Sequence, residues 1–131
     1  MHLAGNNSLN HYSIVMKISS KIHGIIDYAV VAFLWASPML FHLPEMTSLF
    51  IYLLGVVHLL LTISTNFELG VFKLVPLKIH GWIELIVSVA LVGIAFYLGS
   101  LEGNLARNYC LGFGIAVFAT WAITDYSHKK A

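Results

Sequence analysis

The heptapeptide Lys21-Ile22-His23-Gly24-Ile25-Ile26-Asp27 returns later in the chain as Lys78-Ile79-His80-Gly81-Trp82-Ile83-Glu84. Each copy opens a long apolar run, so the same lysine, histidine, glycine and carboxylate stand at the same depth in two segments. A chain patterned this way is expected to build one unit twice. Its repeated polar groups must find partners wherever their surroundings are apolar.

The surroundings are expected to be lipid. Of the 131 residues, 59% are hydrophobic and only 10% charged, with a mean hydropathy of +0.84. A soluble domain carries about 25% charged residues, so too little polar surface remains to cover a water-soluble globule. A net charge of +1 gives no basic face for nucleic acid. The single cysteine, Cys110, excludes an internal disulfide and reads as a small packing residue. Residues 1–16 are mixed and polar, lack the apolar stretch of a signal peptide, and read as a tail; Met16 offers an alternative start. Residues 17–131 then form a single transmembrane domain, with repeat 1 at about 20–70 and repeat 2 at about 77–127.

Apolar runs at about 22–41, 48–65, 79–99 and 109–126 each have the roughly 17 to 25 residues that a helix needs to cross hydrocarbon. Backbone groups in lipid must bond within their own segment, so these are helices. Connections of about 6, 13 and 9 residues make successive helices antiparallel neighbours in a four-helix bundle. The fold expected is therefore all-α, a four-transmembrane-helix bundle of two parallel two-helix repeats. Pro38 should kink or end the first helix, and Pro76 should keep the inner loop from continuing as helix. Lys17, Lys21, Lys73, Lys78, Lys129 and Lys130 fall on one side, against Arg107 alone on the other, which also holds Glu45 and Glu102. That bias places both termini in the cytoplasm. Lys21 and Lys78 read as snorkelling anchors. Tyr28, Trp35, Tyr52, Trp82, Tyr97, Tyr109 and Tyr126 mostly fit interfacial belts.

The second helices align as well. Gly55, Thr65, Asn66 and Phe67 match Gly114, Thr124, Asp125 and Tyr126. Gly24, Gly55, Gly81 and Gly114 then stand at equivalent places and are expected at helix crossings, where small residues permit close approach.

The polar groups form a candidate layer on the cytoplasmic side. His23 and Asp27 are four apart on one helix face, and His80 and Glu84 repeat that spacing. Each carboxylate is placed to accept from the imidazole one turn away and so fix its tautomer. His58 has no repeat partner, since Val117 stands at its counterpart. A rise of 1.5 Å per residue puts it about 12 Å from the inner end of its helix, against about 8 Å for Asp27 and Glu84. The three would share one layer, with Thr62 and Thr120 close by.

An intramembrane ionisable residue is a functional hypothesis, but several readings stay open. The plain one is a bundle core with a few satisfied polar groups, in a structural or accessory subunit. The second is haem or metal ligation and electron transfer, with His23 and His80 facing one axis, or His23, Asp27, His80 and Glu84 as a ligand set. The third is a proton-coupled or ion-conducting protein using Asp27, His58 and Glu84. No hydrolytic triad, phosphate loop or H-E-x-x-H motif is present, so an enzyme is not expected. The lipid bilayer is one partner, and a homo-oligomer or larger membrane complex is open.

His23-Gly24, Asp27-Tyr28, Ser37-Pro38, Phe67-Glu68-Leu69-Gly70 and Pro76 followed by His80 occur in an order that resembles the bacterial SPW-repeat integral membrane proteins. The resemblance covers roughly residues 20–100. It implies a small four-helix protein of two tandem repeats in a bacterial inner membrane, with no assigned activity. Here Met39 follows Ser37-Pro38 where the family has Trp, the second Ser-Pro-Trp element is absent, and Glu84 stands where an Asp is expected.

Overall fold

The computed structural model describes residues 17–126; the polar tail at 1–16 and the basic pair Lys129 and Lys130 lie outside them. Four helices follow in order: α1 Ser20–Leu40, α2 Glu45–Ser64, α3 Leu77–Glu102 and α4 Asn104–Ile123. Together they make an all-α four-helix bundle. Among the described residues there are no strands, only isolated bridge pairs. The closest packing runs within each hairpin, α1 on α2 and α3 on α4, with α2 and α3 further apart. Both first helices start at the same end, because His23 and His80, one turn into α1 and α3, touch each other with ring centroids 5.6 Å apart. The two hairpins therefore run parallel.

Helix ends are set by local chemistry. The Ser19 hydroxyl accepts from the Ile22 N–H and caps α1. Pro38 lies inside α1 but only two residues from its end. The helix closes in a Schellman turn: His42 takes a left-handed φ of 53°, and the Leu43 N–H reaches the Pro38 carbonyl at 3.0 Å. Pro44 and Pro76 stand at the N-caps of α2 and α3.

The third connection corrects the expectation of about nine residues. Only Gly103 separates α3 from α4, and its φ of +103° lets the chain reverse there. Polarity at Glu102, Asn104, Arg107 and Asn108 suggested a loop, yet each has a place in a helix. The Glu102 carboxylate accepts from the Met46 and Thr47 N–H groups at 2.8 and 2.7 Å and from the Thr47 hydroxyl, so it caps the start of α2 from another element. Three helices, α1, α2 and α3, are long and apolar enough to cross a membrane. The fourth, expected as a span, is as long as α2 but carries Asn104, Arg107 and Asn108 in its first turns and falls outside that group.

The apolar core fills the half of the bundle away from His23 and His80. Leu34, Leu43 and Ile51 form one cluster, and Ala95, Leu98, Ala106 and Cys110 another. Between them the Tyr109 hydroxyl donates to Ser37 Oγ at 2.6 Å, and Ser37 Oγ donates to the Phe33 carbonyl. Outside, large apolar side chains such as Leu53, Val57, Ile86, Val89 and Ile115 are exposed on all flanks.

Gly24 and Gly81 lie against the equivalent residues Phe67 and Tyr126, whereas Gly55 and Gly114 meet different positions of the first helices. A Cβ at Gly24 would strike the Phe67 ring and one at Gly55 the Trp35 indole; a Cβ at Gly81 would come within 3.0 Å of Tyr126, and one at Gly114 within 3.1 Å of Leu91. Gly24→Ala is expected to destabilise the bundle by about 1–3 kcal/mol through overpacking against a buried ring. Gly112→Ala, where nothing lies within 4 Å, should be neutral or stabilising by up to about 1 kcal/mol through helix propensity. Denaturant unfolding of the two variants in detergent checks the contrast.

Candidate functional site

The first turns of α1 and α3 carry the repeated polar groups, and the bundle brings all four into one buried ring. His23, Asp27, His80 and Glu84 are each at most 5% exposed. The i,i+4 contacts expected within each helix are present, at 3.2 Å from His23 Nε2 to Asp27 Oδ1 and 3.1 Å from His80 Nε2 to Glu84 Oε2. Crossed contacts join the two repeats. His23 Nε2 lies 3.0 Å from Glu84 Oε1, and His80 Nε2 lies 3.0 Å from Asp27 Oδ2. Each imidazole therefore faces both carboxylates, and imidazole and carboxylate groups alternate around the ring.

The far side of each imidazole is held by the opposite repeat. His23 Nδ1 lies 2.6 Å from Thr124 Oγ1, and His80 Nδ1 lies 2.7 Å from Thr65 Oγ1. Both hydroxyls give their own proton to a helix carbonyl one turn back, Thr124 to Thr120 and Thr65 to Leu61, each at 2.6 Å. A hydroxyl whose proton is committed can only accept from the ring. Nδ1 of both histidines is therefore a donor, and Nε2 is the atom turned to the carboxylates.

Each carboxylate also has one outer partner. The Tyr126 hydroxyl donates to Glu84 Oε1 at 2.9 Å. Burial, followed by the Glu84 charge, pushes the Tyr126 phenol above its ordinary range, so it remains a donor at neutral pH. On the other side His58 Nε2 stands 3.4 Å from Asp27 Oδ1, beyond a good hydrogen bond. The His80 contact to Asp27 Oδ2 also misses hydrogen-bond geometry despite its 3.0 Å separation, which leaves Oδ2 buried without a hydrogen-bond partner.

His58 thus joins the Asp27 and Glu84 layer. Thr62 does not bond to it: though fully buried, its hydroxyl donates to the His58 carbonyl at 2.8 Å within its own helix. Thr120 likewise bonds the Ala116 carbonyl. The threonines that matter lie at the C-caps of α2 and α4, at Thr65 and Thr124. Their alignment between repeats was the available signal. Tyr126 and Tyr109, assigned to interfacial belts, instead turn their hydroxyls inward.

Two cavities of about 40 Å³ adjoin the ring, both lined by His58, Glu84, Phe113 and Val117, and each is wide enough for a few waters. The haem expectation meets an obstacle here. The carboxylates of Asp27 and Glu84 fill the space before both Nε2 atoms, and no slab for a porphyrin lies between the rings.

No family model, no curated protein and no solved structure matches the chain.

Thr65→Val and Thr124→Val each remove the acceptor of a buried ring N–H, and each is expected to cost about 1–3 kcal/mol. Thr62→Val should cost clearly less, since no buried donor loses its acceptor. Equilibrium unfolding of the three variants orders them.

Proposed function

We propose that this chain is a multi-pass protein of a bacterial inner membrane, a tandem duplication related to the SPW-repeat proteins, with both termini cytoplasmic. In this reading it is a non-enzymatic structural or accessory subunit. Its polar ring clamps two hairpins together in the cytoplasmic half of the bilayer. The observation that carries the proposal is the inversion of polarity. His23 and Asp27 of α1 and His80 and Glu84 of α3 are turned inward at no more than 5% exposure, while Ile86, Val89 and Ile115 are at least 64% exposed. Water would penalise such an apolar surface, and hydrocarbon would not.

The tandem reading is supported by bonds that occur in matching pairs. The Ile18 N–H reaches the Ile123 carbonyl at 2.8 Å, and the Asp125 N–H reaches the Ile18 carbonyl at 3.0 Å. Val75 does the same with Ser64 and Asn66, at 2.8 and 2.7 Å. A conducting role is less well supported, because Leu34, Ile51, Leu98 and Ala106 pack the far half and are nearly or fully buried. Catalysis on an organic substrate has little support at the ring: the cavities that Glu84 lines hold only about 40 Å³, well below the roughly 300–1,000 Å³ of ligand pockets, and the open cleft of about 400 Å³ at the same end is lined by none of the four ring residues.

Topology labelling tests the reading. In a Cys110→Ser background, Lys73→Cys should react with an impermeant maleimide only after the cells are opened, and Ser100→Cys should react in intact cells. Protein in the soluble fraction sinks the membrane assignment, and the reversed labelling pattern sinks the orientation.

A further inference from the structure

The geometry points to a divalent metal site of the zinc type in the ring of His23, Asp27, His80 and Glu84. Such a site goes beyond the clamp described above and does not depend on how the chain sits in a bilayer. One ligand atom from each of the four residues lies within 4.8 Å of all the others. Around the ring the imidazole and carboxylate atoms alternate at 3.2, 3.0, 3.1 and 3.0 Å. Metal–ligand bonds of 2.0–2.1 Å in a tetrahedron put neighbouring ligand atoms about 3.3 Å apart. Those edges run through both oxygens of each carboxylate, so an ion would draw in one oxygen from each acid and close ligand pairs that now stand up to 4.8 Å apart.

The donor set selects the class of ion. Two imidazoles with two carboxylates suit zinc and its borderline first-row neighbours, and the two carboxylates offset the ion's charge. Calcium takes six to eight oxygens and magnesium a wet octahedron, neither of which this ring supplies. No thiolate is at hand, because Cys110 is buried with Ala95, Leu98 and Ala106.

Two independent features support a ligand here. The first is the outer layer. Metal-ligating histidines donate their other N–H to a fixed acceptor, and Thr124 and Thr65 do this for His23 and His80, aiming Nε2 inward. Tyr126 restrains Glu84, and His58 stands behind Asp27. The second is the unsatisfied oxygen. Asp27 is 3% exposed, and its Oδ2 has no hydrogen-bond partner. An open cleft of about 400 Å³ lies at the same end, walled by Thr124 and Tyr126, the outer partners of His23 and Glu84, with Lys17, Lys78 and Asp125 around it.

Full-length protein purified in detergent, stripped with a chelator and titrated with Co²⁺, tests the site by visible absorption. The expected result is saturation at one Co²⁺ per chain, with the intense bands of a four-coordinate ion that Zn²⁺ then displaces. His23→Gln and His80→Gln should abolish those bands while helicity and elution volume stay unchanged. Thr65→Val and Thr124→Val keep all four ligands and should weaken Co²⁺ binding roughly 10- to 100-fold. No saturable binding by the parent protein overturns the proposal, as do the pale bands of a six-coordinate ion or unaltered affinity in His80→Gln. Should the glutamine variants fail to fold, unchanged affinity in both threonine variants overturns it.

Discussion

Burying a charge is the constraint that organises this molecule. Asp27 and Glu84 are each removed from water, at 3% and 5% exposure. A carboxylate in such surroundings costs several kcal/mol unless it is paired and hydrogen-bonded. Neither helix supplies enough partners alone. One histidine four residues back leaves most of a carboxylate's acceptor sites empty. The solution is reciprocal: α1 and α3 lend each other their histidines, and the ends of α2 and α4 lend the threonines that orient the rings. The hairpins pack closely within themselves and loosely on each other, so this exchange is a principal link between them. Glycines at 24 and 81 let the chain beyond α2 and α4 approach near enough for it.

The two halves are equivalent without being equal. Repeat 1 has His58 and Phe67 where repeat 2 has Val117 and Tyr126. These differences compensate. Tyr126 brings a hydroxyl to Glu84, which Phe67 lacks for Asp27, and His58 brings a nitrogen to Asp27, which Val117 lacks for Glu84. Each acid receives one outer contact from a different element by a different chemical group. The balance is uneven, because Tyr126 makes a 2.9 Å hydrogen bond whereas His58 stands 3.4 Å away. Asp27 is also shorter than Glu84 by one methylene. It is the less restrained of the two acids, and its Oδ2 is the atom without a hydrogen bond.

Much of this was legible in the letters, within a definite limit. Four apolar runs and short links give the bundle, and the copied heptapeptide singles out His23, Asp27, His80 and Glu84. Spacing along one helix reports only which side chains share a face, so it yielded two pairs and not the ring they form. Thr65 and Thr124 were visible as matching letters, but at helix ends, where threonine commonly serves as a cap. Thr62 is the better candidate by depth, yet its hydroxyl is occupied by its own helix. Tyr126 was read by its amphipathic character, which cannot say whether the hydroxyl meets water or a buried acid. The start of α4 was missed because Arg107 and Asn108 are polar. That same polarity belongs to a helix once Gly103 turns the chain in a single residue.

The paired bridges at Ile18 with Thr124 and at Val75 with Thr65 have a topological consequence. The first and last described stretches are joined side by side in the manner of the internal loop, so the chain traces a circle that happens to be cut at one of two like seams. A circular permutant opened within residues 66–74 and spliced from Tyr126 to Lys17 would retain every helix and both seams. A lone hairpin carrying His, carboxylate and threonine at these stations would close the same circle by pairing with its twin.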